Sequence, residues 1–591
     1  MLKSIGVTLA VATGLVLLGP AKTLYAYQVQ ACPDVATSAG NAGSVEAHVR
    51  YLSDDALEGR EVGTRGARCA ADYIAHQLEA IGLEGAGVDG SYFQSFPVRA
   101  GSLLGEQNTL RDAGISYPVG SEWIPLGYSA STSITAELVY GGDGINRPGD
   151  PDNAYPELDL DGRIVVVEEG DLRSSSSRAL QADTHFKASV AAGRGAGALL
   201  VLLRDDRVLP ELFTETRSAL RIPVAALAGD AAASIRRAAR SGGTATLMTS
   251  VRPRAVEARN VVAFLPGADP DLAREVVIVG AHYDHLGLGG EGSLEPDAVG
   301  VVHNGADDNA SGTSGLIEVA RRLAMRDREP ARSILFLAFT GEEKGLWGSA
   351  TYVREPLVPL DRTVAMLNMD MIGRLEGRPL MVMGVGTAEE WLEILERANG
   401  ELTRPLTIAT APDGFGPSDH ASFYGEGIPV LHFFSNTHED YHRPSDDWEK
   451  IDGDGLRQIV DLVTELTLDV AGEEGTARRV AVTPIQASEV PAHGQTSSNT
   501  SGGYGPYLGT IPDMIPMDFG LRLSGVREGS PADIAGLMRG DIVVAFAGKE
   551  IGDIYAYTYA LQEHEAGDEV EIVVMRDGER VSVTAVLGDR R

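Results

Sequence analysis

The stretch VVIVGAHYD (276–284) decides the fold. Its opening β-branched run, 276–279, is too short for a helix and suits a strand buried on both faces, which then delivers His282 and Asp284 beyond its carboxyl end. Three more apolar runs repeat the pattern. Residues 334–339 lead into Thr340-Gly341-Glu342-Glu343, 364–369 into Asp370, and 429–434 into Glu439-Asp440-Tyr441-His442. From 276 to 471 such strands alternate with helical periodicities, the pattern of an α/β fold with a mostly parallel sheet covered on both sides. In open sheets of this kind the ligand crevice lies just past the strands' carboxyl ends. Four strands therefore bring imidazoles and carboxylates to one edge.

Acids and imidazoles buried together cost several kcal/mol unless a cation holds them. Mixed imidazole and carboxylate donors suit zinc, and a hydrolytic site keeps one coordination position open. GADDNASG (305–312), a loop entering a helix with apolar Leu316, Val319, Ala320 and Leu323, adds Asp308. Charge balance then favours two metals: two Zn²⁺ are matched by Asp308, Glu343, Asp370 and one hydroxide, with His282 and His442 neutral. Glu342, beside a ligand but pointing its own way, is left as general base. Seven of the twelve histidines lie between 282 and 442. His285, His303, His420 and His438 stay open between structural and supporting roles. Asp307 reads as a loop partner of Asp308, and Asp446-Asp447 as the dressing of a following turn. Ser418-Asp419-His420 has the composition of a hydrolase triad, but adjacent residues cannot converge on one nucleophile.

Taken in order, HYD, GADDNASG, GEEKGLWGS, NMDMIGR, SDHASF and DYHRPSDD resemble the secreted di-zinc aminopeptidase family, relatives of bacterial leucyl aminopeptidases and glutamate carboxypeptidase. The resemblance implies a zinc exopeptidase fold with a central mixed, mostly parallel sheet, two zinc ions per chain, and peptide substrates cut at the N-terminus. Residue by residue it implies His282, Asp308, Glu343, Asp370 and His442 as ligands, with Asp308 bridging and a cis peptide after it. Asp284 would orient the histidine ligand, Glu342 would move the proton, and Tyr441 would steady the oxyanion. Glutaminyl cyclase-like or carboxypeptidase action on the same fold, and a non-catalytic peptide receptor, remain alternatives.

The flanks extend the resemblance. Residues 27–109 read as the first part of the catalytic domain, with a helix carrying Ala67, Ala70, Ala71, Ile74, Leu78 and Ile81 on one face and ending at Gly82. Residues 110–255 look like an inserted protease-associated β-rich α/β domain, and 256–471 complete the catalytic domain. A linker over 472–501 ends in HGQTSSNTS. Residues 502–591 look like a PDZ domain, with strands at 521–526 and 541–546, helices at 531–537 and 554–562, and a hairpin at Asp577-Gly578. There Tyr507-Leu508-Gly509-Thr510 would receive a peptide carboxylate through Leu508 and Gly509, although YLGT departs from the commoner form of that loop.

Residues 1–26 have the build of a secretory signal peptide: Lys3, an apolar run too short to span a bilayer, and a Gly-Pro break. Export, whether secreted or periplasmic, and no membrane span are the expectation. In an oxidising compartment the two cysteines, Cys32 and Cys69, are expected to pair. Composition agrees with a folded chain of several domains: 591 residues, 43% hydrophobic and 23% charged. A net charge of −34 repels phosphate backbones and excludes nucleic acid as a partner.

Overall fold

The computed structural model describes residues 32–33, 44–145, 155–169, 183–204, 207–210, 212, 219–290, 292–295, 298–473, 481–485, 506–512, 519–527, 529–552, 554–562, 564–576 and 578–588. The expected leader and most of the expected linker lie outside them. Among the described residues no helix is long and apolar enough to cross a membrane.

Helix α1 (Arg65–Ile81) opens where the Thr64 side chain accepts the Ala67 amide and closes where Gly82 turns left-handed at φ 94. Its stripe of Ala67, Ala70, Ala71, Ile74 and Leu78 is buried, while Cys69 is joined to Cys32 by a disulfide. Long strand β1 (Phe93–Leu104) follows and runs antiparallel to β2 (Val251–Leu265), with a register shift between Pro253 and Ala255. Strand β2 thus continues through residue 255.

Among the described residues, the sheet that organises the chemistry has nine strands. Its centre is the set of four runs read from the sequence: β3 (Val276–His282), β4 (Ser333–Phe339), β5 (Thr363–Met369) and, after β6 (Leu380–Met383) and β7 (Ile408–Ala411), β8 (Val430–Phe434). These four lie side by side in the order β4-β3-β5-β8, all parallel, with β2 antiparallel at one flank and β6 antiparallel at the other. Every residue of β3 and β4 is buried. The two faces serve different cores. Val277, Val279 and Ala281 pack toward α2 (Gly312–Ala324), whereas Val276 and Ile278 pack toward Tyr352 and toward Phe423 of the short helix α3 (His420–Gly425). Helix α4 (Gly453–Ala471) completes the first face through Leu456, Ile459, Val460 and Val463. Each such side chain stabilises the fold by about 1.5–3 kcal/mol, so strand order is fixed by burial and the polar strand tips are carried along.

A second, eight-stranded sheet lies within residues 109–248. Four of its strands, Ser133–Tyr140, Ile164–Glu168, Ala198–Leu202 and Val224–Leu227, are parallel neighbours, with separate apolar clusters on the two faces. A third, six-stranded sheet is built from Thr510–Pro512, Leu521–Val526, Ile542–Phe546, Lys549–Glu550, Glu569–Arg576 and Glu579–Val586. The helix expected at 531–537 is shorter, Pro531–Ile534, because Gly536 at φ 81 leaves the helical region. The third unit touches the first: Arg527 Nη1 donates to Asp413 Oδ2 at 2.5 Å, Arg539 pairs with Glu426, and Phe415 lies against Gly525.

Candidate metal centre

Strand tips build the site. His282 is the last residue of β3, and its Nε2 lies 3.2 Å from Asp370 Oδ1 and 3.5 Å from Asp308 Oδ1. His442 Nε2 lies 3.2 Å from Asp308 Oδ2 and 3.2 Å from Glu343 Oε2. Asp308 thus turns one oxygen to each imidazole. Four donors at about 2.1 Å around a tetrahedral zinc stand about 3.4 Å from one another. The separations around His282 and His442 match that edge length, so the donors fit two adjacent zinc ions sharing Asp308.

The loop carrying Asp308 is held from several sides. Gly305 takes φ 56, the Asp308–Asn309 peptide is cis, and Asn309 ties the turn to β5 by donating Nδ2 to the Met369 carbonyl at 3.0 Å and accepting the Gly312 amide at 2.9 Å. Asp307 Oδ1 accepts the Gly373 amide at 2.6 Å and the Ser311 hydroxyl at 3.0 Å, and its Oδ2 faces His438 Nε2 at 3.1 Å. Asp446 does more than dress a turn. It is fully buried, and Oδ2 accepts the amides of Asp307 and Asp308 at 3.0 and 3.1 Å. A chain-local reading could not supply those amides, which lie 139 and 138 positions earlier.

The imidazoles of His282 and His442 are held through their second nitrogens, an arrangement that suits metal-binding histidines. His442 Nδ1 donates to the Gly292 carbonyl at 2.8 Å. His282 Nδ1 lies 3.2 Å from the backbone carbonyl of Asp284 and 3.8 Å from its carboxylate, which instead accepts the Glu342 amide at 3.2 Å. Ser418 bonds the Asp370 carboxylate. Tyr441 stacks on His442 with ring centroids 3.8 Å apart. Glu342 Oε2 stands 4.0 Å from His282 Nε2, so Glu342 gathers with His282 and Asp370 into one group able to hold a metal ion, while His285, Asp308 and Glu343 form a second.

Electrostatics reflect the crowding. Burial drives Glu342 well above the usual carboxyl range; His282 opposes this, and the charges of Glu343, Asp370 and Asp419 add to it. Tyr441 is raised far above an ordinary phenol by burial and by the charges of Asp308, Glu343, Glu342 and Asp370, so it keeps its proton. Behind the cluster lies a residue that sequence reading missed. Arg60 is fully buried and donates Nε to Tyr283 O at 2.7 Å, Nη1 to Leu52 O and to Asn304 O at 2.7 Å, and Nη2 to Gly305 O at 3.0 Å. Burial lowers it to about 10, against Asp284, Asp308, Asp446 and Glu343, so it remains cationic at neutral pH. The only sequence signal was an arginine in the glycine-flanked run GREVGTRG (59–66) ahead of a helix.

The four open histidines resolve. His303 bonds within its own loop, to Ser293 Oγ at 2.8 Å and Val301 O at 2.9 Å, and His420 stacks on His432 in the interior. His438 and His285 instead contact the acids of the site, Asp307 and Glu343. In the third unit Leu508 lies in the apolar core, and Gly509 at φ 89 packs against Ser530, where any side chain would collide.

Comparison with known proteins places the chain. Residues 260–467 match the model of peptidase family M28, and residues 495–587 match that of the PDZ domain. Aminopeptidase YwaD of Bacillus subtilis is 26% identical over 338 residues, 54% of this chain and 64% of that protein. Leupeptin-inactivating enzyme 1 of Streptomyces exfoliatus is 27% identical over 331 residues, 53% of this chain and 68% of that protein. A solved zinc aminopeptidase of Bacillus subtilis is 24% identical, with a TM-score of 0.48 over 76% of this chain and 99% of that one. The chain therefore spans about two thirds of the length of these curated relatives.

Proposed function

We propose that this chain, whose residues 260–467 belong to peptidase family M28, is an exported metallo-aminopeptidase with a co-catalytic pair of zinc ions. The observation that carries the reading is the placement of Asp308, one oxygen toward His282, which also faces Asp370, the other toward His442, which also faces Glu343, at separations suited to two tetrahedral ions. His282, Asp308 and Asp370 would hold one ion, and Asp308, Glu343 and His442 the other. Bound zinc supplies Lewis acidity toward the scissile carbonyl and a nucleophile at neutral pH. Glu342, within reach but outside the ligand set, accepts the proton of the attacking water and passes it to the leaving amine. Tyr441, its phenol kept protonated, offers a hydrogen bond to the oxygen on which charge develops.

Polarity favours the amino end of a substrate. Glu342 and Asp370 present carboxylates to a substrate ammonium. The basic side chains flanking the ligand motifs are engaged elsewhere: Lys344 lies 3.3 Å from Glu61, Arg374 pairs with Glu376 and Asp440, and Arg60 serves backbone carbonyls. The names of the similar proteins, an aminopeptidase among them, point the same way. Residues 110–255 act as a protease-associated domain shaping access, and the PDZ domain offers Gly509 to a peptide C-terminus.

The test is hydrolysis of aminoacyl amides, N-acetylated peptides and C-amidated peptides by zinc-loaded protein, before and after chelation. Release of the first residue from free-amine substrates only, abolished by chelator, is expected. Cleavage from the carboxyl end, or cyclisation of N-terminal glutamine with no amino acid released, would overturn the reading. Glu342→Gln should lower kcat by about 10²- to 10⁴-fold while zinc content, measured by atomic absorption, stays at two per chain.

A further inference from the structure

His285 is fully buried, and its Nδ1 lies 2.6 Å from Glu343 Oε1. A carboxylate oxygen only accepts, so Nδ1 carries the proton. Two donors on one tetrahedral zinc stand about 3.4 Å apart; 2.6 Å is a hydrogen bond, too close for two ligands of the same ion. Glu343 thus has its two oxygens divided, Oε1 to His285 and Oε2 toward His442 Nε2 at 3.2 Å. The ring is wedged where it can hold that division. A Cβ on Gly305 would come within 2.4 Å of His285 Cγ, and the imidazole meets His442 edge-on with centroids 5.8 Å apart. One side chain therefore abuts the carboxylate, the imidazole and the bridging loop of the second ion site.

We propose that His285 is a positioning residue for that site: by donating from Nδ1 to Glu343 it fixes which carboxylate oxygen faces the metal, without ligating the metal itself. The proposal rests on the two-zinc reading above, and it separates the two ions, since His285 touches Glu343 and His442 and approaches the shared Asp308 at Oδ2, the oxygen facing His442, with Nδ1 3.9 Å away. Glu343 without this bond would be free to rotate, and the second ion would lose the pre-set geometry that an outer hydrogen bond gives a ligand.

The experiment measures zinc affinity on the full chain by chelator competition, together with the cobalt(II) absorption spectrum, for the parent, His285→Ala and His285→Asn. The parent should hold two ions. His285→Ala should keep one at parental affinity and weaken the other by about 10- to 100-fold. His285→Asn, whose amide N–H stands near the Nδ1 position, should recover most of that loss and the parental cobalt spectrum. Two ions held at parental affinity by His285→Ala, equal weakening of both, or no recovery in His285→Asn would each overturn the positioning role. A parent that binds no zinc would instead remove the two-zinc reading itself.

Discussion

Arg60 illustrates how a charge can serve a site it never touches. Its donors are spent on the backbone carbonyls of Leu52, of Tyr283 just past His282, and of Asn304 and Gly305 ahead of Asp308, and its charge faces Asp284, Asp308, Asp446 and Glu343. Arg60→Met should destabilise the protein by about 3 kcal/mol or more, because buried acceptors and acids both lose their partner; urea unfolding of the metal-free protein measures it. Arg60→Lys should recover little, since an ammonium cannot span carbonyls arranged for a fork. Asp440 gives a pH-dependent case. Burial would raise it, but hydrogen bonds from Lys450, Ser445 and Arg374 win and hold it at about 2. A carboxyl depressed on folding contributes stability above its unfolded value of about 4, and that contribution is lost as pH falls through about 2. Asp440→Asn should therefore be less stable than the parent at pH 6, and the difference should shrink on acidification, followed by circular dichroism. The residues at strand tips were legible because apolar runs announce where a strand ends. Arg60 and His285 were not, because their meaning depends on partners such as Tyr283 and Glu343, 223 and 58 positions away.

At the level of elements, the four parallel strands could be read from their apolar runs, β-branched throughout only at 276–279, while the antiparallel flanks β2 and β6 could not. A strand's direction leaves no mark in its own residues; it is fixed by the connection, here the long excursion between β1 and β2. Likewise the spacing in GADDNASG announces a helix start but hides how tightly that start abuts β5. At Gly312 a Cβ would fall 2.3 Å from Asn309 Oδ1 and 2.4 Å from the Met369 carbonyl. Alanine would gain about 1 kcal/mol in helix propensity, yet overpacking against backbone costs about 1–3 kcal/mol. The clash should win: Gly312→Ala is expected to lower the thermal midpoint and loosen zinc, because Asn309 must leave Met369 for the helix to fit.

On the scale of the whole molecule, the amino-terminal segment and the two added units each have their own tie to the catalytic sheet. The Cys32–Cys69 bridge closes a sequence separation of 37 residues, for which loop entropy predicts about 4 kcal/mol of stabilisation. Reduction, or Cys32→Ser with Cys69→Ser, should lower the unfolding midpoint of the catalytic unit; calorimetry should show an unchanged separate transition for the third unit, which shares no covalent loop with the bridge. The C-terminal PDZ domain was legible in the sequence, but the contact between Arg527 and Asp413 was not, since arginines and acids abound in so acidic a chain.

The ribbon of β1 and β2 limits where the second sheet, within residues 109–248, could be exchanged. Both strands pass without a break from one sheet toward the other, and Val256 and Ala258 lie in a cluster with Val62 and Trp347 while Glu257 faces water. Deleting a single residue on the catalytic side of the Pro253–Ala255 irregularity would reverse that alternation and drive Glu257 inward. Replacement of residues 109–248 is therefore expected to be tolerated only at the distal side of the irregularity, where the reading frame of the pleat has already been reset.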